Sequence, residues 1–474
     1  MTHSGGMLDV ELVAAEDDPG PTTAAPRRFR RRWFVVGAVA VAAALGVTQW
    51  AGVTGERAEQ ARLAAVPGVL APVDDTLVVS RPAPDVGLGA AAVHVDGRGA
   101  QSLSWAGWTT TLAGPNAALA DAEGQVVAAS TCRPDSRAGA DPSTADHVVC
   151  LVTDGGVIRD GGSSFAQVPA TSRQVVVLSA DDGAVLAQWS VDHGDSMALF
   201  PGGVALGSAY GTGTTVTAYV SLTGEERWTY VDPDPAAIHL SSVSLFRAGD
   251  LLAYRSSPGS LLLLSTDGTA VRTITQPTGG SWGWGTDPRT GQLVLESQDA
   301  TGAARMTIVA PDGDPDADVT VAGGPVHLTV DDGSVPGLLL SADSAVHAWD
   351  AGSGAARWSH ADDTVASALV LRGRVYLATG GRIVALDGRT GRVLWTARAE
   401  EGLVPRALLT DGDHLLVGLI ATSTDATPAL VAYDPATGQE DFRASYPPGV
   451  TEVTSIGRQL IGHDGSSDEY VVLE

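Results

Sequence analysis

Lysine is absent from this sequence of 474 residues, so all 29 basic side chains are arginines, set against 55 acidic ones. The formal net charge of −26 excludes nucleic-acid binding, which needs a basic surface to displace counterions from phosphates. Aromatic residues are scarce, at 5%, and cysteine occurs only twice, but hydrophobic residues make up 44%. That apolar fraction excludes a wholly disordered chain. The length fits a few ordinary domains or one large all-β or repeat domain.

Charge is distributed unevenly along the chain. Residues 1–32 carry five acids and five arginines, residues 33–53 carry no charge, and residues 54–474 hold 50 acids and 24 arginines. As a helix, the uncharged stretch is about 31 Å long, which matches a hydrocarbon core of roughly 30 Å. Because the arginines directly precede it, the positive-inside rule places residues 1–32 in the cytoplasm and the later chain outside. The sequence therefore predicts a single-pass protein of the cell membrane.

The segments on either side of this predicted transmembrane helix differ in composition. Residues 1–32 are predicted to be a disordered cytoplasmic tail. Residues 54–75 are predicted to be a stalk or linker, whose helix ends at Pro67 and Gly68. Residues 76–474 then form an extracytoplasmic domain. A cleaved export signal is the alternative to an uncleaved anchor, and mass spectrometry of the mature N-terminus distinguishes the two.

One sequence motif, called the phrase below, recurs among short apolar runs that are separated by Gly, Asp and Pro. Its fullest copy, at 385–395, reads Ala-Leu-Asp-Gly-Arg-Thr-Gly-Arg-Val-Leu-Trp. The turn glycines of seven copies are Gly183, Gly224, Gly268, Gly313, Gly354, Gly391 and Gly438, with spacings of 41, 44, 45, 41, 37 and 47 residues. A period near 43 residues accommodates four short strands and three turns, which is one blade of a β-propeller.

Each residue type in the phrase has a physical reason to be there. The Asp carboxylate can accept backbone N–H bonds across a tight turn, and Gly supplies the positive φ that closes the turn. The large ring that follows lies on an outer strand, where it can cover apolar surface between neighbouring blades. The phrase therefore predicts a structural role for these residues rather than a catalytic one.

The phrase resembles the tryptophan-docking repeat of PQQ-type propellers, which occurs in quinoprotein alcohol dehydrogenases and in a non-enzymatic assembly lipoprotein of the bacterial outer membrane. The matching residues are Asp387, Thr390, Gly391 and Trp395, then Asp434, Gly438 and Phe442, then Asp350, Gly354 and Trp358, then Gly224 and Trp228, and finally Trp189. Val220 replaces the Asp in the copy that ends at Trp228. The resemblance implies an all-β fold with eight blades, seven being the alternative, and it identifies a fold rather than an activity.

The two ends of the domain are expected to meet in one blade. Residues 444–474 supply only two or three strands, so we expect an outer strand from the N-terminal side, at 92–105, to complete the closing blade. The predicted fold class is therefore an all-β, eight-bladed β-propeller that follows one N-terminal transmembrane helix. Deleting the last 30 residues should then prevent folding of the whole domain.

The two cysteines are predicted to form a disulfide. Cys132 follows one apolar strand and Cys150 lies in the next, so they flank a single hairpin, and an extracytoplasmic compartment permits their oxidation. Two free buried thiols are the alternative. The quinoprotein dehydrogenases that this chain resembles carry a disulfide between adjacent cysteines beside the quinone. Since this sequence has no such Cys-Cys pair, we expect neither bound PQQ nor another cofactor.

Two further patterns are weak indications of chemistry. Asp312, Asp314 and Asp316 alternate as in a calcium loop, but Ala317 stands where such loops need Gly and no bidentate Glu follows. We interpret them as a solvated acidic turn. The stretch 279–283 matches the G-x-S-x-G nucleophile pattern at Ser281 without the strand–turn–helix context, and we interpret it as a loop. With no convergent catalytic constellation, the sequence does not predict an enzyme.

These observations favour a protein-binding or assembly scaffold in the cell envelope. A propeller offers a broad, rigid face whose loops and edge strands can hold a peptide or a partner protein. We expect the partners to be cell-envelope proteins, the ectodomain to be monomeric, and residues 33–53 to contact the membrane. The alternative function is a small-ligand sensor or enzyme that uses the central channel for a quinone, a sugar or calcium.

Overall fold

The computed structural model describes residues 58–82, 92–95, 100–105, 108–113, 116, 119, 125–128, 130–136, 144–159, 165–210, 213–232, 244–257, 259–278, 280–287, 290–361, 365–465 and 469–474. The chain divides into two compact units, Met1–Glu59 and Gln60–Glu474, and every described strand belongs to the second. The predicted tail and transmembrane helix, residues 1–32 and 33–53, lie outside the described residues. None of the helices in the described ranges combines the length and the hydrophobicity of a membrane-spanning segment.

Short strands make up most of the regular structure. A helix spans residues 58–64, and a 3-10 helix spans Pro315–Ala317. The strands, in chain order, are β1 Val79–Pro82, β2 Ala92–Val95, β3 Gln101–Trp105, β4 Trp108–Ala113, β5 Gln125–Ala128, β6 Thr131–Pro134, β7 His147–Thr153, β8 Gly156–Arg159, β9 Phe165–Val168, β10 Arg173–Ser179, β11 Val185–Ser190, β12 Ser196–Phe200, β13 Gly203–Tyr210, β14 Gly213–Val220, β15 Glu226–Asp232, β16 Leu245–Ala248, β17 Leu251–Ser257, β18 Ser260–Ser265, β19 Ala270–Thr275, β20 Ser281–Thr286, β21 Leu293–Gln298, β22 Ala304–Ile308, β23 Val319–Ala322, β24 Gly324–Pro325, β25 Leu328–Asp331, β26 Leu338–Ala342, β27 Val346–Asp350, β28 Ala356–His360, β29 Val365–Leu371, β30 Arg374–Thr379, β31 Arg382–Asp387, β32 Val393–Arg398, β33 Leu403–Thr410, β34 Leu415–Ala421, β35 Ala429–Tyr433, β36 Glu440–Ser445, β37 Val450–Ile456, β38 Gln459–Asp464 and β39 Glu469–Leu473.

Most of these strands form a series of antiparallel sheets of four strands each, which confirms the all-β prediction. We number the sheets along the chain: sheet 1 (β6-β7-β10-β11), sheet 2 (β12-β13-β14-β15), sheet 3 (β16-β17-β18-β19), sheet 4 (β20-β21-β22-β23), sheet 5 (β24-β26-β27-β28), sheet 6 (β29-β30-β31-β32), sheet 7 (β33-β34-β35-β36) and sheet 8 (β37-β38-β39-β1). Strand β25 joins sheet 6 as a fifth, parallel strand beside β29. Strands β2-β3-β4 and β5-β8-β9 form two three-stranded sheets.

Apolar side chains between successive sheets form the core. Sheets 1 and 2 share Val175 and Leu206, sheets 2 and 3 share Val216 and Leu252, and similar clusters follow through to sheet 8. Because the middle strands are covered on both faces, they are continuous apolar runs, such as Leu261–Leu264, in which every side chain is buried. The turns between strands carry the glycines with positive φ. Buried strand segments therefore alternate along the sequence with turns at which the chain reverses direction.

The closing sheet combines both ends of the domain, as predicted, but with a different N-terminal strand. Strand β1 pairs antiparallel with β39, with Val79 opposite Leu473. The expected strand at 92–105 was wrong, because its residues pair locally: β2 binds β3, and β3 binds β4. A local hairpin involves a much shorter loop than a pairing across the chain, so it forms at a smaller cost in entropy.

The segment before β1 differs from the expected stalk, because residues 60–75 pack on the sheets. Leu63 and Val69, each only 1% exposed, lie in one apolar cluster with Leu408 and Leu415 of sheet 7. The amide of Leu70 donates to the carbonyl of Thr410 at 2.8 Å. This part of the chain therefore belongs to the same compact unit as the sheets.

The contact of this segment with the sheets includes a buried carboxylate. The Asp332 side chain is fully buried and accepts hydrogen bonds from Arg62 Nη2 at 3.2 Å and from the Arg372 amide at 2.7 Å. Arg62 also donates through Nη1 to the Asp332 carbonyl at 2.8 Å. A buried carboxylate needs such partners to offset its lost hydration, and here they join the N-terminal helix to the turn that follows β25.

Candidate functional site

The repeated phrase folds as a turn around an aspartate. In the fullest copy, Asp387 Oδ1 accepts from the Thr390 amide at 2.9 Å, from Thr390 Oγ1 at 2.7 Å and from the Arg389 amide at 3.2 Å. Gly391 then takes φ 70°, a conformation that side chains with a Cβ rarely adopt. The hydrogen bonds, chiefly the one from the Thr390 hydroxyl, lower the pKa of Asp387. The turn therefore stabilises the ionised form of Asp387.

The other strong copies repeat this geometry with small variations. Asp434 Oδ1 accepts from the amides of Ala436 at 2.7 Å and Thr437 at 2.8 Å, and these bonds lower its pKa. Asp350 accepts from Ser353 Oγ at 2.9 Å and also from Arg357 Nη2 at 2.7 Å. The Arg357 guanidinium, followed by the Ser353 hydroxyl, lowers the pKa of Asp350 to about 2.

Each tryptophan of the repeat lies on the turn glycine of the next sheet. A Cβ on Gly438 would lie 2.5 Å from Trp395 Cδ2, and one on Gly391 would lie 2.7 Å from Trp358 Cδ2. Only glycine permits this approach, so its place in the phrase has two reasons: the positive φ and the contact with the ring. The ring thus joins the outer strand of one sheet to the turn of the following sheet.

The indole N–H of these tryptophans adds a hydrogen bond to the same turn. Trp395 Nε1 donates to the Pro435 carbonyl at 3.1 Å, and Trp358 Nε1 donates to the Gly388 carbonyl at 3.0 Å. In the contact between sheets 2 and 3, Trp228 Nε1 donates to the Thr266 carbonyl at 2.9 Å. A buried indole N–H normally needs such a partner, and the turn supplies it.

Two of the predicted repeat residues depart from this arrangement. Trp189 lies over Gly224, yet its buried Nε1 has no hydrogen-bond partner among the described residues. In this turn Val220 replaces the aspartate, so the turn lacks the carboxylate that accepts backbone amide hydrogen bonds in the turns around Asp387 and Asp434. Phe442 packs on the core between sheets 7 and 8, with its ring centroid 5.4 Å from that of His414.

Three members of this set of contacts were not predicted from the sequence. Trp108 of β4 lies on Gly183 and donates to the Ala180 carbonyl at 2.9 Å, as the other tryptophans do. Val271 occupies the equivalent place on Gly313, and Val319 packs over Gly354. The valines have no ring that would mark the position. Trp108 lies 75 residues before Gly183, much farther than the 33–43 residues that separate the other tryptophans from the glycines they contact.

The two cysteines are paired as predicted. Cys132 and Cys150 are opposite each other in the β6–β7 ladder, with their Cα atoms 4.0 Å apart, and they form a disulfide. Both are buried, in the core that sheet 1 shares with β3 and β4. The disulfide therefore closes the hairpin that leads from β6 to β7.

In the structure, the residues of the two weak chemical patterns belong to backbone elements: the aspartates to a turn and Ser281 to a strand. Asp312 Oδ1 accepts from the Asp314 amide at 3.1 Å, and Asp314 Oδ1 accepts from the Asp316 amide at 3.0 Å. Throughout the described ranges, no three His, Cys, Asp or Glu residues converge as metal ligands. The interpretation of Ser281 as part of a loop was wrong: it is the first residue of β20, where its amide and carbonyl can join the ladder with Gln298.

The outermost strands of several sheets expose apolar side chains. Val185 and Leu186 of β11 are 57% and 48% exposed, and Val231 of β15 is 60% exposed. Val393 of β32 is 44% exposed. Because an outermost strand also has one row of unpaired backbone groups, we call these residues and their strands the outer-edge surface.

Comparisons with known proteins agree with the repeat. The family model described as outer membrane protein assembly factor BamB matches residues 285–459. Among solved structures, the chain is similar to BamB from Moraxella catarrhalis, with 18% identity, 63% of this chain and 88% of that chain covered, and a TM-score of 0.35. It is also similar to the dihydro-heme d1 dehydrogenase NirN in complex with DHE, with 17% identity, coverage of 64% and 71%, and a TM-score of 0.35.

A third solved structure belongs to a eukaryotic protein. Sqt1 from Saccharomyces cerevisiae has 13% identity, coverage of 70% of this chain and 93% of that chain, and a TM-score of 0.37. No curated protein matches the sequence. The Asp–Gly–Trp turns, the four-stranded antiparallel sheets and the family match over residues 285–459 together identify PQQ-like repeats of a β-propeller.

Proposed function

We propose that this protein is a membrane-anchored scaffold of the cell envelope that binds other proteins. Residues 1–32 form its cytoplasmic tail, residues 33–53 its anchor, and the later chain an eight-bladed propeller outside the membrane. The eight numbered sheets, each of which contains four antiparallel strands and one of which has β25 as an added parallel strand, support this blade number. The match to a family described as an assembly factor supports the role of a scaffold.

The observation that carries the proposal is the outer-edge surface. Exposed apolar side chains lie on sheets 1, 2 and 6, on outermost strands whose outer edges pair with no other described strand. An extended segment of a partner can add to such an edge, with main-chain hydrogen bonds giving affinity and the apolar side chains giving specificity. The tryptophans that pack on the turn glycines hold neighbouring sheets together. The outermost strands are therefore already ordered before a partner binds, so binding costs little further conformational entropy in these strands.

The negative charge of residues 54–474 indicates which kind of partner this protein attracts. Residues 54–474 hold more than twice as many acids as arginines, and this excess repels acidic polymers at low salt. A partner with a basic or neutral extended segment is therefore favoured. Electrostatic attraction of that kind speeds association and weakens as the salt concentration rises.

Site-specific photocrosslinking in cells tests the proposal with the full chain. A photoreactive amino acid at Val231 or Leu186 should crosslink to one or a few envelope proteins. The matched control is Asp250, which is exposed on the turn between β16 and β17, the first two strands of sheet 3. The same products from Asp250, or no products from the edge positions, would refute binding at the outer-edge surface.

A further inference from the structure

Sheet 6 is an arginine-rich part of a strongly acidic domain. From β29 to β32, residues 365–398 hold six arginines and a single acid, Asp387, whereas residues 54–474 as a whole hold 24 arginines and 50 acids. Four of the six arginines are exposed on the two outer strands of the sheet and the turn that joins them: Arg382, Arg389, Arg392 and Arg398. The outer half of sheet 6 therefore attracts anionic groups, which the acidic surface elsewhere repels.

Two of these arginines lie at the ends of the outermost strand. Arg392 directly precedes β32 and Arg398 ends it, and neither forms an ion pair with a described residue. Arg392 has an electrostatic interaction with Asp387, whose carboxylate accepts hydrogen bonds within the turn. Beyond the strand, Glu400 is bound by Arg443 of sheet 7 at 3.1 Å. The guanidinium of Arg398 can therefore bind an added carboxylate.

The open edge of β32 adds backbone groups beside Arg398. The Ala399 amide donates to the Gly381 carbonyl at 2.9 Å, so the backbone of Ala399 points toward β31. Since backbone groups alternate in direction along a strand, those of Thr396 and Arg398 point away from β31. No described strand pairs with β32 on that side. An extended segment can therefore form ladder hydrogen bonds at these two residues.

Three exposed side chains lie on one face of β32: Val393, Thr396 and Arg398. In the ladder they are opposite alternate residues of β31, in this order: Leu386, Val384 and Arg382. Because opposite residues of a ladder point to the same side, the three side chains share a face. The ladder positions of Val393 and Arg398 are four residues apart on β31. A strand added to the edge would therefore have one side chain beside Val393 and another, four positions along, beside Arg398.

We propose that the outermost strand of sheet 6 binds an acidic extended segment of a partner protein. Main-chain hydrogen bonds to Thr396 and Arg398 hold the segment along the edge. One of its carboxylates binds the Arg398 guanidinium, which can donate two parallel hydrogen bonds to Asp or Glu. An apolar residue four positions along packs on Val393, which is 44% exposed.

Binding at sheet 6 rests on the proposed function, since it specifies the partner chemistry at one sheet of the outer-edge surface. Sheet 6 differs in this respect from the rest of the domain, whose excess of acids favours basic or neutral segments. The strand edge is common to all the outermost strands, but the exposed arginines select the acidic segment.

Fluorescence anisotropy of a labelled peptide with the full-length protein tests this assignment. The peptide is Thr-Glu-Thr-Glu-Thr-Val-Thr-Val-Thr, in which acidic and apolar side chains share one face of an extended chain. It should bind more tightly than its counterpart with lysine in place of both glutamates, and the difference should shrink as the salt concentration rises. Arg398→Gln should weaken binding of the acidic peptide by about twofold to fivefold, the range for loss of an exposed ion pair.

Two controls attribute the effect to the ion pair. A peptide with glutamine in place of both glutamates should bind more weakly to the wild type and should not respond to Arg398→Gln. The matched variant is Arg305→Gln, because Arg305 is an exposed arginine on β22, the third strand of sheet 4. Arg305→Gln should bind the acidic peptide as tightly as the wild type does.

The results distinguish failure of this assignment from failure of the proposed function. Equal affinity for the acidic and lysine peptides, or equal weakening of the acidic and glutamine peptides by Arg398→Gln, would overturn acidic recognition at sheet 6, even if crosslinks from Val231 and Leu186 persist. Loss of those crosslinks with Arg398-dependent peptide binding retained would refute the proposed function and leave this assignment standing. If short-chain phosphatidylglycerol binds through Arg398 and the peptide does not, the ligand is a lipid headgroup and the assignment is wrong.

Discussion

At the scale of single residues, the contact between a tryptophan and a turn glycine combines two stabilising effects. The ring covers apolar surface between sheets, and the indole N–H satisfies a backbone carbonyl of the next turn. Trp358 and Trp395 have both effects, whereas Trp189 has only the first. The repeat therefore contains a natural comparison between a ring that has its hydrogen bond and a ring that does not.

Replacing tryptophan with phenylalanine separates these two effects. Trp358→Phe removes the 3.0 Å bond to the Gly388 carbonyl along with part of the ring, whereas Trp189→Phe removes part of the ring and an unpartnered N–H. We expect Trp358→Phe to lower the free energy of unfolding by about 1 kcal/mol more than Trp189→Phe does. Urea unfolding of both variants measures the difference, and equal losses would contradict a role for the hydrogen bond.

The sequence predicted most of these residues, because chemistry and spacing coincide in them. An Asp, a Gly and a Trp at fixed offsets are visible wherever the phrase is complete, as at Asp387, Gly391 and Trp395. Trp108 was missed because no recognisable copy of the phrase precedes it.

At the scale of elements, the turns that hold the strands together depend on charged aspartates. The Arg357 guanidinium and the Ser353 hydroxyl bind the ionised form of Asp350. Hydrogen bonds within the turns likewise lower the pKa values of Asp387 and Asp434. Each such shift makes the stability of the fold depend on pH.

Acid should therefore weaken the fold as these carboxyls protonate. The folded pKa of Asp350, about 2, lies below the unfolded value of roughly 3.9, so its contribution is full above pH 4 and disappears as the pH falls toward 2. We expect Asp350→Asn to be less stable than the wild type at neutral pH and the difference to shrink across this interval. Urea unfolding as a function of pH measures it, and a difference that does not change with pH would contradict the account.

The N-terminal helix is the element whose role the sequence least revealed. Its residues are good helix formers, and Leu63 is too isolated to form an apolar stripe, so composition indicated a stalk. In the structure, Leu63 fills a place in the core of sheets 6 and 7, and Arg62 binds the buried Asp332. Tertiary contacts far along the chain, which no local pattern encodes, decide its position.

A substitution in this helix distinguishes a packed segment from a stalk. We expect Leu63→Ala to lower the free energy of unfolding of the β-domain by about 2–5 kcal/mol, because it leaves a cavity in a closed core. Gln60→Ala is the control: its exposed side chain only donates to Asp413, at 3.2 Å, so the loss should stay within about 0.5 kcal/mol. If chemical unfolding shows equal effects for the two variants, the segment is not part of the core.

At the scale of the whole molecule, the two ends of the β-domain meet in sheet 8. The sequence predicted that an N-terminal strand completes this sheet, because too few strands remained at the C-terminus. It did not predict which strand, since β1 and the segment at 92–105 are both short and apolar enough to pair. The contacts of residues 60–77 with sheets 7 and 8 bring β1 beside β39.

The most direct test of the closed β-domain is a crosslink between β1 and β39. The described chain has no free cysteine, so a pair introduced at Val79 and Leu473, which are opposite each other, can be followed without interference. Val79→Cys with Leu473→Cys should form a disulfide that changes the mobility of the intact protein on a non-reducing gel. Val79→Cys with Val472→Cys, whose side chains point to opposite faces, should not. Failure of the first pair to crosslink, or equal crosslinking of both pairs, would contradict the closure of sheet 8 by β1.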